Sequence, residues 1–208
     1  MAWTTDRNTY VIVLVLSEAC ERNKDPILSN LREHFAAISY VLEIGSGTGQ
    51  HAVYFGEQLP HLVWQTSDVA ENLAGISQRL EQDGPANVIT PIALNVEDDP
   101  WPVDSAEAIF SANSLHIMSW EQVEHFFRGV GAVLHSGGPL CVYGPFRYGT
   151  LYTSDSNAAF DRHLKARDPF SGIRDFEAVD RLAAAQSLRL AADHAMPANN
   201  QMLVWRRS

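Results

Sequence analysis

The sequence predicts an α/β protein, a mostly parallel, doubly wound sheet in a single domain. Three observations carry that expectation. Short apolar runs alternate with segments of helical periodicity along most of the chain, the pattern of a parallel sheet with helices on both faces. A glycine-rich turn, Gly45-Ser46-Gly47-Thr48-Gly49, follows the apolar run Val41–Ile44. The chain ends in two β-rich runs joined by a turn, which reads as a hairpin.

Each element has its own signal. Asp25-Pro26 reads as a helix start, an acceptor cap and then Pro at the first helical position. Ile27, Leu28, Leu31, Phe35 and Ile38 then recur at helical spacing. Val41–Ile44 is the first strand of the alternation, and a helix starts near Gln50 after the glycines. Leu62–Thr66 is a second strand; Leu73, Ile76 and Leu80 mark a helix that Gly84 ends. Asn87–Val96 is a third strand, irregular at Pro91, and Ala106–Ala112 a fourth. Ser119 with Gln122 forms a capping box ahead of Val123, Phe126, Phe127, Val130 and Leu134, and Gly137-Gly138 stops that helix. Leu140–Tyr143 is strand five, residues 157–166 and 175–187 are helical, and Leu188–Met196 pairs with Met202–Trp205.

Composition narrows the function. The chain has 208 residues and 15 Lys+Arg against 25 Asp+Glu, a formal charge of −10, with 46% hydrophobic residues. That is one domain with a real core. Its acidity argues against a phosphate-backbone grip on nucleic acid and against binding to anionic membrane surfaces. The apolar run Tyr10–Leu16 is too short for a span of about 20 residues and lacks a signal-peptide pattern. It reads as an extra strand or a packed leader within an N-terminal extension, residues 1–18, ahead of the domain at 19–208. Cys20 and Cys141 have no metal-like spacing and read as free buried thiols of a reducing compartment, the cytoplasm. No ligand cluster calls for a metal.

The glycine turn is the default ligand site, because doubly wound sheets bind ligands beyond the carboxyl ends of their strands. Gly45, Gly47 and Gly49 allow close backbone approach, and the next helix offers N–H groups to an anionic oxygen. A nicotinamide dinucleotide fits poorly: the spacing from Gly45 fails at Gln50. A Glu43 carboxylate would also repel a pyrophosphate by roughly 3 kcal/mol per charge at about 5 Å and an effective dielectric of about 20. S-adenosylmethionine reverses that sign with its sulfonium and ammonium. Asp68, 19 residues beyond Gly49, is placed to accept from ribose hydroxyls of either cofactor.

Glu43-x-Gly45-x-Gly47-x-Gly49 resembles the motif of class I methyltransferases. That resemblance implies S-adenosylmethionine as cofactor, an adenine contact at Asn95 and Val96 through the Asn95 amide oxygen, and Ser111 and Asn113 near the transferred methyl or the methionine part of the cofactor. His116 is a candidate general base, since its intrinsic pKa lies near neutrality; a histidine packing the strand–helix junction is the plainer reading.

The segments CERNKDPIL (20–28), LEIGSGTGQHAVYF (42–55), WQTSD (64–68), YGPFRYG (143–149), SDSNAAFD (154–161), RDPFSGIRD (167–175) and MPANN (196–200) resemble the methyltransferase-like protein 26 family, a domain-of-unknown-function group numbered 938. The likeness runs from about residue 19 to the end. It implies a Rossmann-like fold on seven strands, mostly parallel with an antiparallel C-terminal hairpin strand. Two departures stand out: residues 1–18 are not the family's short start, and Asn95 stands where relatives usually carry aspartate. With the sheet so wound, Arg22, Asn23 and Lys24 fold over the cofactor. Tyr143, Arg147, Asn157, Asp161, Arg167, Arg174, Asn199 and Asn200 wall an acceptor, expected to be an anionic or carboxylate-bearing small molecule, since Arg matches carboxylates bidentately. The plainer reading is loop-holding salt bridges such as Arg174 with Asp175. The expected activity is methyl transfer from S-adenosylmethionine to a small molecule. The alternatives are a non-catalytic cofactor-binding or interaction protein, or a nicotinamide-dependent oxidoreductase.

Overall fold

The computed structural model describes residues 16–208; the run read as an extra strand or leader lies, apart from Leu16, outside the described residues. A seven-stranded sheet has the order β3-β2-β1-β4-β5-β10-β9. Its strands are β1 (Tyr40–Ile44), β2 (Val63–Asp68), β3 (Val88–Ala93), β4 (Ala108–Ala112), β5 (Pro139–Gly144), β9 (Leu188–Met196) and β10 (Asn200–Arg207). The first five pair in parallel. β10 runs antiparallel to both β5 and β9. The fold class read from the sequence is the one observed. Chain order reverses between β1 and β4, so the switch point lies where the glycine turn leaves β1.

Strand alternation sorts the core into two layers. Val41, Trp64, Ala108, Phe110 and Cys141 face α1 (Glu18–His34) and α2 (Gln50–Gln58). Leu42, Ile44, Ile109, Leu140 and Val142 face α4 (Trp120–Val133) and α6 (Phe176–Ala185). α3 (Leu73–Asp83) follows β2. The Ser119–Gln122 capping box is complete, with both reciprocal bonds made.

α1 differs from expectation. It opens at Glu18, capped by Ser17, whose Oγ accepts from Cys20 N at 3.3 Å. Pro26 lies inside it rather than at its first turn. Proline there gives up one helical hydrogen bond, and burial of Ile27, Leu28 and Leu31 against the sheet outweighs the cost. Gly84 does end α3, but at φ −70°. It is needed because a Cβ would stand 2.4 Å from Leu80 O.

Beyond β5 the chain builds a unit the sequence pattern did not reveal. β6 (Phe146–Tyr148), β7 (Leu151–Tyr152) and β8 (Arg174–Asp175) form a small sheet, with α5 (Asp155–Arg167) between β7 and β8. Strands of two or three residues leave no period-two signal. Of the two cysteines, Cys141 is buried as expected, while Cys20 is half-buried.

Candidate active site

The glycine turn is held from both sides. Gly45 and Ser46 donate their N–H groups to Ser67 O at 3.1 and 2.9 Å, and Arg79 Nε donates to Thr48 O. Gly45 has φ +78°, and a Cβ there would stand 2.6 Å from Ser114 Oγ. Gly47 has φ +58°, and a Cβ there would meet nothing within 4 Å. The backbone at Gly47 therefore borders open space. Asp68, 8% exposed, accepts the Gly47 N–H on Oδ2 at 2.7 Å, and Val69 N–H and Asn72 Nδ2 on Oδ1, each at 2.8 Å. An ionised carboxylate has about four acceptor sites, so Asp68 retains capacity for a further donor.

Glu43 shares the strand face of Val41. That places its carboxylate between the sheet and the α1/α2 layer, 2% exposed. Oε2 accepts from Ser46 Oγ at 2.8 Å and Trp64 Nε1 at 3.1 Å. Burial pushes its pKa up to about 7; the two hydrogen bonds oppose that rise and the Asp68 charge adds to it. Glu43 therefore braces the turn from beneath.

α1 lies across the start of α2. Ser17 N–H and Thr48 Oγ1 donate to Gln50 Oε1 at 2.5 and 3.3 Å, and Gln50 Nε2 donates to Glu21 Oε1 at 3.1 Å. His51 Nε2 is 2.7 Å from Asn23 Oδ1. With that amide oxygen as acceptor, the proton sits on Nε2, and Nδ1 presents a lone pair to Cys20 Sγ at 3.9 Å. Burial pushes His51 down to about 4. Gln50 and His51 escaped the sequence reading; their position directly after Gly49 was the available signal. Arg22 lies on the outer face of α1, paired with Glu18 at 3.2 Å, whereas Asn23 is buried. Lys24 pairs with Glu21 at 2.5 Å and stacks on Tyr54.

The end of β4 supplies the opposite side. Ser111 Oγ donates to Ile44 O at 2.8 Å and ties β4 to β1. A Cβ on Gly144 would lie 3.7 Å from His116 Nδ1 and 4.0 Å from Asn113 Oδ1, so the missing side chain leaves a niche between these two groups. His116 is 7% exposed, and its imidazole makes no hydrogen bond to a described residue. Phe160 of α5 meets its ring edge-on at 5.4 Å. Burial, and secondarily the Arg174 charge, push His116 down to about 4, so it is neutral at pH 7.

The expected acceptor wall divides. Tyr143 is buried with the Asn200 and Asn23 amides beside its hydroxyl; burial raises its pKa and the two amides oppose the rise. Asn157 Nδ2 donates to Thr153 Oγ1 and Asn199 O, both at 2.8 Å. Asn199 and Asn200 donate to Ser156 Oγ at 3.5 Å and Pro197 O at 3.2 Å. Asp161 binds Tyr152, Lys165 and the Ile173 N–H at 2.6, 2.6 and 2.7 Å. Asp175 pairs with Arg147, not Arg174, through two bonds of 2.7 Å. Arg174 donates to the carbonyls of Leu115, Met118 and Phe170. Most of these contacts hold loops. Asn95 is exposed in the loop after β3, with Oδ1 accepting Glu97 N–H at 3.1 Å; Val96 is buried in the core. Among the described residues there is no group of three or more metal-ligating side chains, and no helix long and apolar enough to cross a membrane.

The fold recurs among solved structures. An O-methyltransferase family protein from Burkholderia thailandensis superposes with a TM-score of 0.79 at 15% identity, over 92% of this chain and 58% of its own. An O-methyltransferase family 2 protein from Planctomyces limnophilus, solved with apigenin, gives 0.72 at 17%, over 89% and 62%. The O-methyltransferase NcsB1 of neocarzinostatin biosynthesis, solved with S-adenosylmethionine and 2-hydroxy-5-methyl naphthoic acid, gives 0.72 at 17%, over 91% and 55%. The chain thus spans less than two thirds of each of these neighbours. At such identities the likeness establishes the methyltransferase-type fold. Sequence kinship is closer elsewhere: residues 15–207, the glycine turn and its surrounding segments included, match one family throughout, and the chain belongs to the family described as protein of unknown function DUF938.

Proposed function

We propose that this protein transfers a methyl group from S-adenosylmethionine to a small-molecule acceptor. One observation carries the reading: a left-handed glycine turn at the switch point, open above Gly47 and clamped there by the buried Asp68. The donor set fits the cofactor. Asp68 has acceptor capacity for a ribose hydroxyl, and the backbone at Gly47 admits close approach. Glu43 beneath the turn favours a cation over a pyrophosphate. The family match agrees with the resemblance to the domain-of-unknown-function group numbered 938, and the fold neighbours include an O-methyltransferase solved with S-adenosylmethionine.

When bound, the sulfonium would supply an electrophilic methyl carbon. The chain's own residues then have two tasks. Phe160 and the α5 unit exclude water from the niche at Gly144. His116, neutral at pH 7 and without a partner among the described residues, accepts the proton of an acceptor hydroxyl placed there. A pKa of about 4 makes it a weak base, so positioning contributes more than proton removal.

That weakness, together with the Asn95 amide oxygen already engaged by Glu97 N–H, favours a second reading: a cofactor-binding protein without catalysis. Calorimetric titration with S-adenosylhomocysteine tests the shared premise, and micromolar affinity is expected. The absence of binding up to millimolar ligand would refute both readings. Transfer of a labelled methyl group to any small-molecule extract fraction separates them in favour of the enzyme.

A further inference from the structure

A cavity of 240 Å³ opens among Trp120, Arg147, Ile173, Arg174, Asp175 and Ala178, where the start of α4, the small sheet and the start of α6 meet. It is small beside typical ligand sites of about 300–1,000 Å³, and its charges do not cancel. Arg147 and Asp175 neutralise each other through their two 2.7 Å bonds. Arg174 remains. Its Nε and Nη2 are held by the carbonyls of Leu115, Met118 and Phe170, which fixes the guanidinium plane. Nη1 has no partner among the described residues. Two further acids influence Arg174, and neither supplies a counter-ion: Asp161 is committed to Lys165 and Tyr152, and Asp168 is exposed, its Oδ1 taken by Phe170 N–H at 2.9 Å. Burial is the largest influence on Arg174 and acts against its charge. A half-buried, rigid guanidinium with one open nitrogen, Nη1, can donate a charge-assisted hydrogen bond to a carboxylate.

The apolar wall is aromatic. Trp120 is 37% exposed, although it is the first residue of a well-capped helix. Asp175 stands at the N-cap of α6 yet makes no capping bond, because its carboxylate is turned to Arg147.

We propose that this cavity binds a small aromatic monocarboxylate, with Arg174 taking the carboxylate and Trp120 packing on the ring, and that this acid is the class of methyl acceptor. The second half rests on the function proposed above. The link is structural: Arg174 grips the carbonyls of residues 115 and 118, on either side of His116, so an acid seated on Arg174 lies against the loop that carries the candidate base.

The test uses the full chain, with 4-hydroxybenzoate and its uncharged counterpart 4-hydroxybenzyl alcohol as probes in calorimetry. The wild type should bind the acid at least tenfold more tightly than the alcohol. The diagnostic variant is Ala178→Glu. Position 178 is the third residue of α6, where an acidic side chain favours the helix, so the fold is preserved while the cavity loses its net positive charge. The variant should bind the acid at least tenfold more weakly, with the affinity for S-adenosylhomocysteine and the thermal midpoint unchanged. Trp120→Ala should weaken both probes. Equal acid binding by wild type and Ala178→Glu, no preference for acid over alcohol, or no binding of either probe at millimolar concentration would overturn the site. Acid binding without S-adenosylhomocysteine binding would leave the site standing and remove the methyltransferase reading.

Discussion

The Asp68 carboxylate accepts the Gly47 N–H at 2.7 Å and so joins the end of β2 to the turn after β1. A hydrogen bond to an ionised acceptor contributes about 2 kcal/mol, and this one sets the shape of the proposed cofactor cradle. Asp68→Ala should lower unfolding free energy by about that amount, read by urea denaturation. S-adenosylhomocysteine affinity should fall at least tenfold. A variant with normal affinity would mean that Asp68 acts only on the fold.

Gly45 and Gly47 should separate folding from binding. Both hold left-handed backbone, which costs a side chain roughly 1–2 kcal/mol. At Gly45 a Cβ also crowds Ser114 Oγ, whereas at Gly47 it enters open space. Gly45→Ala should therefore be the more destabilising of the two in thermal melts. Gly47→Ala should stay folded and lose more affinity for S-adenosylhomocysteine. The reverse order would place the ligand elsewhere.

Three buried groups with large shifts contribute to the acid response. His51 and His116 lie at about 4, below their usual 6.5, so the stability they contribute is present above pH 6.5 and is lost as pH falls through 4. Each contributes on the order of 3 kcal/mol at the limit. Glu43 is raised from 4.5 to about 7; its contribution is full below pH 4.5 and is lost as pH rises through 7. Between pH 7 and 4.5 it therefore offsets roughly one histidine. Urea midpoints should fall over that interval, more steeply in Glu43→Gln and less steeply in His116→Asn. Parallel profiles for all three proteins would refute the assignment.

The large sheet was legible because its central strands are short buried apolar runs set between helical segments, and because three glycines with left-handed backbone mark the turn after β1. The small sheet was not, since strands such as Leu151–Tyr152 are set by tertiary contacts. The start of α1 was misplaced because Asp25-Pro26 carries a stronger local signal than Ser17, whose cap matters only once Gln50 is beside it. At the site, Gly47 and Asp68 were readable from spacing alone. His51 and the Arg147–Asp175 pair were not, because the residues they join lie 28 positions apart in each case.

Glu43 offers the sharpest electrostatic test of the proposed cofactor. A carboxylate with a pKa of about 7 is mostly neutral at pH 6 and mostly charged at pH 8. S-adenosylmethionine and S-adenosylhomocysteine share their amino acid and nucleoside parts, so the ratio of their affinities isolates the sulfonium charge. A unit charge at about 8 Å and an effective dielectric of about 20 contributes about 2 kcal/mol. The ratio should therefore shift toward S-adenosylmethionine by about tenfold between pH 6 and pH 8. In Glu43→Gln, which keeps acceptors for Ser46 and Trp64 without the charge, the ratio should be flat with pH. A flat wild-type ratio would mean that the carboxylate braces the turn and has no electrostatic part in choosing the cofactor.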